Sequence, residues 1–168
     1  TSTAIVEAFG NAKMPRNNDS SRFGKLYRIY FDTNTKYIQG CSITPYLLEK
    51  SRITSQAQGE RNYHVFYMLL RGMDAAEKEK LQVHAMEDYA WLNSPNITPT
   101  YDVPGRDDVE ELVGLKDALS NFCGDNLQNI LSCTMGVLRQ GDIVIGGEDS
   151  AEVSDSDPAL LEVADNYG

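Results

Sequence analysis

Residues 11–24 read NAKMPRNNDSSRFG, a polar stretch in which Met14 is the only large hydrophobic residue before Phe23. Pro15 cannot lie inside a helix, and it pushes the residue before it toward extended geometry. The sequence therefore predicts that the preceding helix ends at about Asn11 and that a loop follows it. Loops carried on a rigid scaffold often bind ligands, so this stretch is a candidate site.

The side chains of the predicted loop suit a phosphate group or a hard metal ion. Ser20 and Ser21 offer hydroxyls that can ligate a hard cation, and their backbone N–H groups can face phosphate oxygens. Asn17 adds an amide donor, and the guanidinium of Arg22 can hold a phosphate or pair with a carboxylate. Asp19 would be a ligand near a metal and a repulsive charge near a phosphate. A solvated turn has the same composition, so the residues alone leave both interpretations open.

Residues 17–25, NNDSSRFGK, resemble switch I of the myosin motor domain, usually written N-x-N-S-S-R-F-G-K. The resemblance covers almost the whole chain, with weaker signals in residues 72–125. Other stretches resemble the same family in the same order, namely EAFGNAK at 7–13, YLLEKSR at 46–52, GERNYHVFY at 59–67, GVL at 136–138 and GDI at 141–143.

The resemblance implies an α+β, mainly helical fragment of a P-loop NTPase motor, with an antiparallel β-hairpin that belongs to a central sheet. Residues 1–168 would then be a partial motor domain. Its implied parts are a helix end (1–12), a switch I-like loop (13–24), the hairpin (25–44) and a mainly helical upper subdomain (60–168). The implied activity is Mg-ATP hydrolysis coupled to movement on actin filaments, in a cytoplasmic motor associated with the cytoskeleton.

The resemblance also implies a role for each loop residue. Asn17 contacts phosphate, and Asp19 belongs to the same nucleotide-binding set. Ser20 positions the attacking water and contacts the γ-phosphate, while Ser21 ligates Mg²⁺. Arg22, which with Ser20 is the implied catalytic pair, binds a switch II glutamate outside this chain. Positioning and charge neutralisation of this kind are what phosphoryl transfer requires.

Two positions depart from the family pattern, which usually has Asn where Asp19 stands and commonly has Thr where Met14 stands. The carboxylate removes an amide donor and adds a negative charge near a polyphosphate. Before Mg²⁺ offsets it, that repulsion costs roughly a few kcal/mol. We therefore expect Asp19 to weaken ATP binding or to slow hydrolysis.

Two motifs of a complete ATPase motor do not occur in the 168 residues: a G-x-x-x-x-G-K-[ST] P-loop and a D-x-x-G-F-E switch II. The sequence therefore predicts that this chain alone neither binds ATP tightly nor hydrolyses it. Both termini read as interrupted helices, which predicts a fragment of a longer motor. The fragment is also expected to pack poorly without the remainder of the motor domain, because its hairpin would expose an edge and a sheet face. The alternative is a non-catalytic interaction module, or an inactive pseudo-motor disabled by Asp19.

Composition limits the other function classes. The hydrophobic content of 41% suits a domain with a core, and no apolar stretch is long enough to insert into a bilayer. Residues 1–100 hold 12 Lys and Arg against 10 Asp and Glu, whereas residues 101–168 hold 3 against 15. This balance argues against nucleic-acid binding, which requires a basic patch. The three cysteines are predicted to be buried thiols, and His64 and His84 to be core or rim residues.

The spacing of the hydrophobic residues predicts the remaining elements. Residues 2–10 end a helix, and strands at 23–31 and 37–43 pair as an antiparallel hairpin. A short strand is predicted at 142–145, and residues 53–59 and 86–106 are predicted to be connections. Further helices are predicted at 60–71, from Asp74 with Glu77 to about His84, from Asp107 or Asp108 to about Cys123, from Asp125 with Gln128, and from Asp157-Pro158.

Overall fold

One helix is buried on every side, and the rest of the helical part is packed around it. In the computed structural model, which describes residues 2–147 and 150–168, this helix is α3 (His64–Gly72). Every residue from His64 to Leu70 is buried. Because a helix that is apolar all round must be covered by other elements, α3 defines the position of the core.

Three helices cover α3, and two hairpins lie outside the helical core. α1 (Ser2–Gly10), α5 (Asp108–Cys123) and α6 (Leu127–Arg139) contact α3, and α7 (Pro158–Tyr167) packs on α6. The described residues thus form mixed helices and two antiparallel hairpins, of which the sequence predicted only the second. The other elements are β1 (Asn11–Met14), β2 (Asn17–Ser21), β3 (Gly24–Phe31), β4 (Ile38–Tyr46), α2 (Ser51–Thr54), α4 (Ala75–Lys80), and 3₁₀ turns at Met86–Asp88, Ala90–Leu92, Gly124–Asn126 and Gln140–Asp142.

Three predicted helix starts are confirmed by their capping hydrogen bonds. Asp74 and Glu77 form a capping box, in which the Glu77 N–H donates to Asp74 Oδ1 at 2.8 Å. The Asp107 carboxylate accepts from the backbone N–H groups of Val109 and Glu110 at the start of α5. Asp157 accepts from the Leu160 N–H at 3.0 Å and places Pro158 at the first helical position of α7.

Two helices are shorter than predicted. α3 begins at His64 rather than at residue 60, because the segment before it lies beside β1. The Arg61 N–H donates to the Lys13 carbonyl at 3.2 Å, and Tyr63 forms a bridge with Ala12. α4 ends at Lys80 rather than near His84, because Gln82 adopts a positive φ of 51°.

Two predictions after α5 are wrong. Asp125 does not cap α6, because residues 124–126 form a 3₁₀ turn that leads directly into the helix. The predicted strand at 142–145 is absent, because Asp142 ends a 3₁₀ turn and its carboxylate is used locally. It accepts from the Ala90 N–H at 2.7 Å and pairs with Arg139 at 2.8 Å.

The predicted loop over 13–24 is largely extended instead. β1 and β2 pair antiparallel across a turn at Pro15 and Arg16, with Asn11 opposite Ser21 and Met14 opposite Asn17. The composition of this stretch favours a loop, but β1 also has the segment around Tyr63 on its other side. Pairing with a distant part of the chain therefore overrides the local preference.

The second hairpin, β3 paired antiparallel with β4, is present as predicted. Its turn is closed by Asp32, whose carboxylate accepts from the Asn34 N–H at 2.9 Å. Apolar side chains on both faces of β3 are 47% to 56% exposed, and they are Leu26, Tyr27, Ile29, Tyr30 and Phe31. The helical core therefore leaves this hairpin uncovered.

The cysteine prediction is wrong and the histidine prediction is confirmed. Cys41 on β4 and Cys133 on α6 are exposed, and Cys123 at the end of α5 is half-buried against the edge of the core. His64 is fully buried, whereas His84 is half-buried at the rim. Among the described residues, none of the helices combines the length and the apolar character needed to cross a bilayer.

A buried ion pair joins the start of α3 to the start of α5. The Arg61 guanidinium donates to both carboxylate oxygens of Asp108, at 2.6 and 2.9 Å, and the two side chains are 0% and 2% exposed. Arg71 also reaches Asp108 at 3.3 Å and pairs with the exposed Asp102 at 2.7 Å. Both ends of α3 are thereby tied to the same carboxylate.

The substitution Asp108→Asn should destabilise the protein by about 3–5 kcal/mol, because it leaves the buried Arg61 charge without a counter-charge. The matched control Asp102→Asn makes the same chemical change at an exposed partner of Arg71, so its effect should stay below about 1 kcal/mol. The measurement is the unfolding of each variant by heat and by denaturant. Equal effects of the two substitutions would contradict this assignment.

Candidate functional site

The five predicted site residues lie together on one hairpin. Asn17, Asp19, Ser20 and Ser21 lie on β2, and Arg22 follows directly. β1 is the only strand that pairs with β2 in the described part of the chain, so one edge of β2 is open. Its exposed backbone N–H and C=O groups and the exposed residues beside them are accessible to a ligand.

Asn17 organises the start of β2. Its side-chain Oδ1 accepts from the Asp19 N–H at 2.9 Å, which forms an Asx turn. This bond fixes the orientation of the Asn17 amide group. Its Nδ2 donor makes no hydrogen bond to any described residue, so the donor is available to a ligand.

Arg22 connects the end of β2 to the chain that follows the second hairpin. Its Nε donates to Glu49 Oε2 at 2.6 Å, and its Nη1 donates to the Ser20 hydroxyl at 3.2 Å. Its backbone N–H donates to the Gly10 carbonyl at 2.8 Å. Ser20 is thus held as an acceptor and keeps its own proton for another partner, whereas the exposed Ser21 hydroxyl has no hydrogen bond to the described residues.

Glu49 is the central acceptor of an ion-pair cluster formed with Arg22, Arg52 and Glu60. It also accepts from Arg52 at 2.8 and 3.2 Å, and Arg52 in turn donates to Glu60 at 3.0 Å. Burial raises the pKa of Glu49, but the hydrogen bonds from Arg22 and Arg52 outweigh it and leave that pKa below its ordinary value. Glu49 is therefore ionised at neutral pH and offsets the charge of Arg22.

Asp19 faces the helical core. A single oxygen, Oδ1, accepts from Asn11 Nδ2 at 3.1 Å, from His64 Nε2 at 3.2 Å and from Arg106 Nη1 at 3.3 Å. The donors come from β1, from α3 and from the segment before α5. Asp19 itself is 49% exposed, so its second oxygen lies near solvent.

His64 is held in one neutral tautomer. Arg61 donates from Nε and Nη2 to His64 Nδ1, at 3.2 and 2.9 Å, and a guanidinium can only donate. Nδ1 is therefore the acceptor, and Nε2 carries the proton that is donated to Asp19. Burial, together with the charges of Arg106 and Arg61, lowers the pKa of His64 to about 3.

Close packing behind the hairpin also fixes the end of β2. A Cβ atom at Gly10 would lie 2.3 and 2.4 Å from ring atoms of Phe23. The absence of a side chain at Gly10 therefore allows the Phe23 ring to rest against the end of α1. Because Phe23 directly follows Arg22, this contact limits where the predicted site can move.

The arrangement fits a magnesium ion that is bound together with phosphate groups. Mg²⁺ retains several waters and usually takes only one or two protein oxygens in addition to substrate phosphates. The exposed Ser21 hydroxyl can supply one such oxygen. Within residues 2–147 and 150–168, no three His, Cys, Asp or Glu side chains cluster to hold a metal by themselves.

Several residues of the site were not identified from the sequence. Glu49 lies 27 positions from Arg22, and His64 and Arg106 lie 45 and 87 positions from Asp19, so these contacts are not marked by the sequence near β2. Only Glu49 had a local signal, since it stands three residues before the opposite charge of Arg52.

Stability should fall as the pH is lowered below 6.5, because His64 binds a proton in the unfolded chain but stays neutral in the folded one. The pKa of His64 in the folded protein is about 3, below its ordinary value of 6.5. The free energy of unfolding should therefore fall by up to about 1.4 kcal/mol for each pH unit between 6.5 and 3. The measurement is the pH dependence of the unfolding midpoint. The His64→Gln variant should show a smaller slope, and an unchanged slope would contradict the assignment.

Gly10→Ala should destabilise the protein by about 1–3 kcal/mol, because the new methyl group overlaps Phe23. Gly114→Ala, at an exposed position of α5 where nothing lies within 4 Å, should instead stabilise it by about 1 kcal/mol. The comparison measures the unfolding free energies of both variants. If both substitutions shift stability in the same direction, the close packing of Phe23 on Gly10 is not supported.

Comparison with known proteins identifies relatives over nearly the whole chain. The family model for "Myosin head (motor domain)" matches residues 1–168. The chain is 39% identical to "Myosin heavy chain IB" of Acanthamoeba castellanii over 97% of its length, and 39% identical to "Myosin-1" of Arabidopsis thaliana over 98%. It is 41% identical to "Myosin-VIIa" of Drosophila melanogaster over 89%. The chain spans 14% of the length of the first two relatives and 7% of the third.

Proposed function

The chain belongs to the myosin head (motor domain) family, and on that basis we propose that it forms the switch I side of the Mg-ATP site in an actin-based motor. The proposal extends the predictions from the sequence to a complete protein in which other segments supply the P-loop and switch II. That protein hydrolyses ATP and moves on actin filaments in the cytoplasm.

The observation that carries the proposal is the open edge of β2. It presents the exposed Ser21 hydroxyl and the Asn17 amide next to the half-buried Ser20. These are the positions at which the family resemblance implies contacts with Mg²⁺, phosphate and the attacking water. Because the other edge of β2 is held by β1, these groups are supported on a paired strand.

In this proposal each residue has a separate task. Ser21 supplies an oxygen to Mg²⁺, and Asn17 donates to a phosphate oxygen. Ser20, which accepts from Arg22 at one lone pair, would donate its single proton to the γ-phosphate and accept from the attacking water at the other lone pair. A Mg²⁺ ion held by the Ser21 oxygen would supply positive charge that offsets the charge of the phosphoryl group.

Arg22 pairs with Glu49 within this chain, whereas the switch II glutamate predicted as its partner lies outside this chain. The 2.6 Å bond to Glu49 supports a role in holding the end of β2 rather than a direct contact with phosphate. The pairing with a switch II glutamate remains part of the proposal for the complete motor. Such a pair would close the site around the γ-phosphate, and phosphate release would allow it to open.

The exposure of the second hairpin, formed by β3 and β4, supports the proposal that this chain is part of a larger motor domain. Apolar side chains on both faces of β3 are about half exposed, which is unusual for an isolated hairpin in water. We assign this hairpin to a central sheet of a P-loop NTPase fold, where the remainder of the motor would cover it.

The Ser21→Ala substitution in the full-length protein tests the proposal. Removing the Mg²⁺ ligand should lower the actin-activated, Mg-dependent ATPase rate by about 100-fold or more. Ser154→Ala, which removes an exposed hydroxyl in the loop before α7, is the matched control and should leave the rate unchanged.

The same experiment distinguishes the alternative of a pseudo-motor or interaction module. A full-length protein without measurable ATPase activity, whose affinity for actin is the same with and without Mg-ATP, would overturn the motor function. An active protein in which Ser21→Ala has no effect would overturn the assignment of the site.

A further inference from the structure

We propose that Asp19 is a positioning residue that anchors β2 to α3 and to the segment before α5, and that its charge thereby supports nucleotide binding at β2. This inference rests on the proposed function, but it reverses the effect expected from the sequence. There, a carboxylate in place of Asn was expected to repel the polyphosphate.

The first argument is the direction of the contacts. All three groups within hydrogen-bond distance of Asp19 Oδ1 are donors, from Asn11, His64 and Arg106, at 3.1 to 3.3 Å. Two of these donors are immobilised, because Asn11 is 2% exposed and His64 is 0% exposed. An acceptor that meets three donors in a partly buried position is bound more strongly when it carries a negative charge.

The second argument is that these donors cannot readily turn to other partners. His64 Nδ1 is occupied by Arg61, so Nε2–H is its one remaining donor and points to Asp19. Asn11 directs its amide to the carboxylate although its own Oδ1 is buried and has no partner among the described atoms. The surrounding structure is therefore arranged for an acceptor at position 19.

The third argument is the balance of charge around the anchor. A cavity of about 340 Å³ beside β2 is lined by Asp19 and Arg106 and also by the carboxylates of Glu7 and Glu111. Arg106 pairs with both Asp19 and Glu111, so it is the cation that offsets these charges. Asn18 adds a neutral contact to the same segment of chain, since its Nδ2 donates to the Pro104 carbonyl at 3.4 Å. β2 is thus tied at two successive residues to the segment that leads into α5.

The fourth argument is the alternation of side chains along a strand. Successive residues point to opposite faces, so Asp19 and Ser20 lie on different sides of β2. The charge of Asp19 is directed to Arg106, whereas Ser20 is directed to Arg22. Fixing Asp19 on one face therefore sets the position of the Ser20 hydroxyl on the other face, whereas Ser21 shares the face of Asp19.

The test measures backbone amide hydrogen exchange of residues 17–21 in the full-length protein without added nucleotide. Asp19→Asn and Arg106→Gln should each speed exchange by about tenfold, because each removes the charge-assisted bond. The double variant should show little further change, since both substitutions break the same contact. Glu111→Gln, which removes another carboxylate partner of Arg106 and leaves Asp19 and Asp108 in place, is the control and should leave exchange within about twofold.

The anchor would be overturned if exchange is unchanged in Asp19→Asn. It would also be overturned if the effects of the two single substitutions add fully in the double variant. The second readout is the affinity for Mg-ATP, which should fall by about tenfold in Asp19→Asn. Tighter binding by this variant would overturn the proposal in favour of direct repulsion. If the wild-type protein binds no Mg-ATP, the proposed function fails, and the exchange data alone then support or overturn the anchor.

Discussion

The buried guanidinium of Arg61 is the interaction on which the rest of the structure depends. It is desolvated completely, so every donor must find an acceptor for the burial to be tolerated. Asp108 accepts two of its hydrogen bonds, and the Tyr101 carbonyl accepts another at 2.9 Å. The ring of Tyr67 lies 4.2 Å from the guanidinium carbon. These contacts join the segment before α3 to the start of α5, and they also determine the tautomer of His64.

Two chains of polar contacts lead from the core to the candidate site. One runs from Arg61 through His64 to Asp19, and the other runs from Arg52 through Glu49 to Arg22 and Ser20. Both reach β2 from the protein side, so the strand is held from behind while its outer edge stays open. A site that binds a polyphosphate needs this combination, because positioning requires a rigid support and access requires an unpaired edge.

The two hairpins differ in how far their strands are packed against the rest of the chain. β1 is buried between β2 and the segment around Tyr63, and it therefore transmits the position of the core to the site. β3 and β4 pair with each other but expose apolar side chains on both faces. The first hairpin is packed against other parts of this chain, whereas the second leaves its apolar side chains about half exposed.

The sequence by itself determined the family and the positions of most helices, and it led to the proposal of five site residues. Capping residues such as Asp74, Asp107 and Asp157 act over three or four positions, and local patterns of this range can be recognised without a structure. Only the tertiary structure decided that residues 11–21 are paired strands, that α3 starts at His64 and that Asp19 faces Arg106. The bridge between Ala12 and Tyr63, the start of α3 and the direction of Asp19 depend on partners tens of residues away, whose proximity arises from the packing of α3 against α5 and from the Arg61–Asp108 ion pair. The negative charge of Asp19 could be predicted from the sequence. The direction in which its side chain points is set by the positions of the three donors in the packed structure.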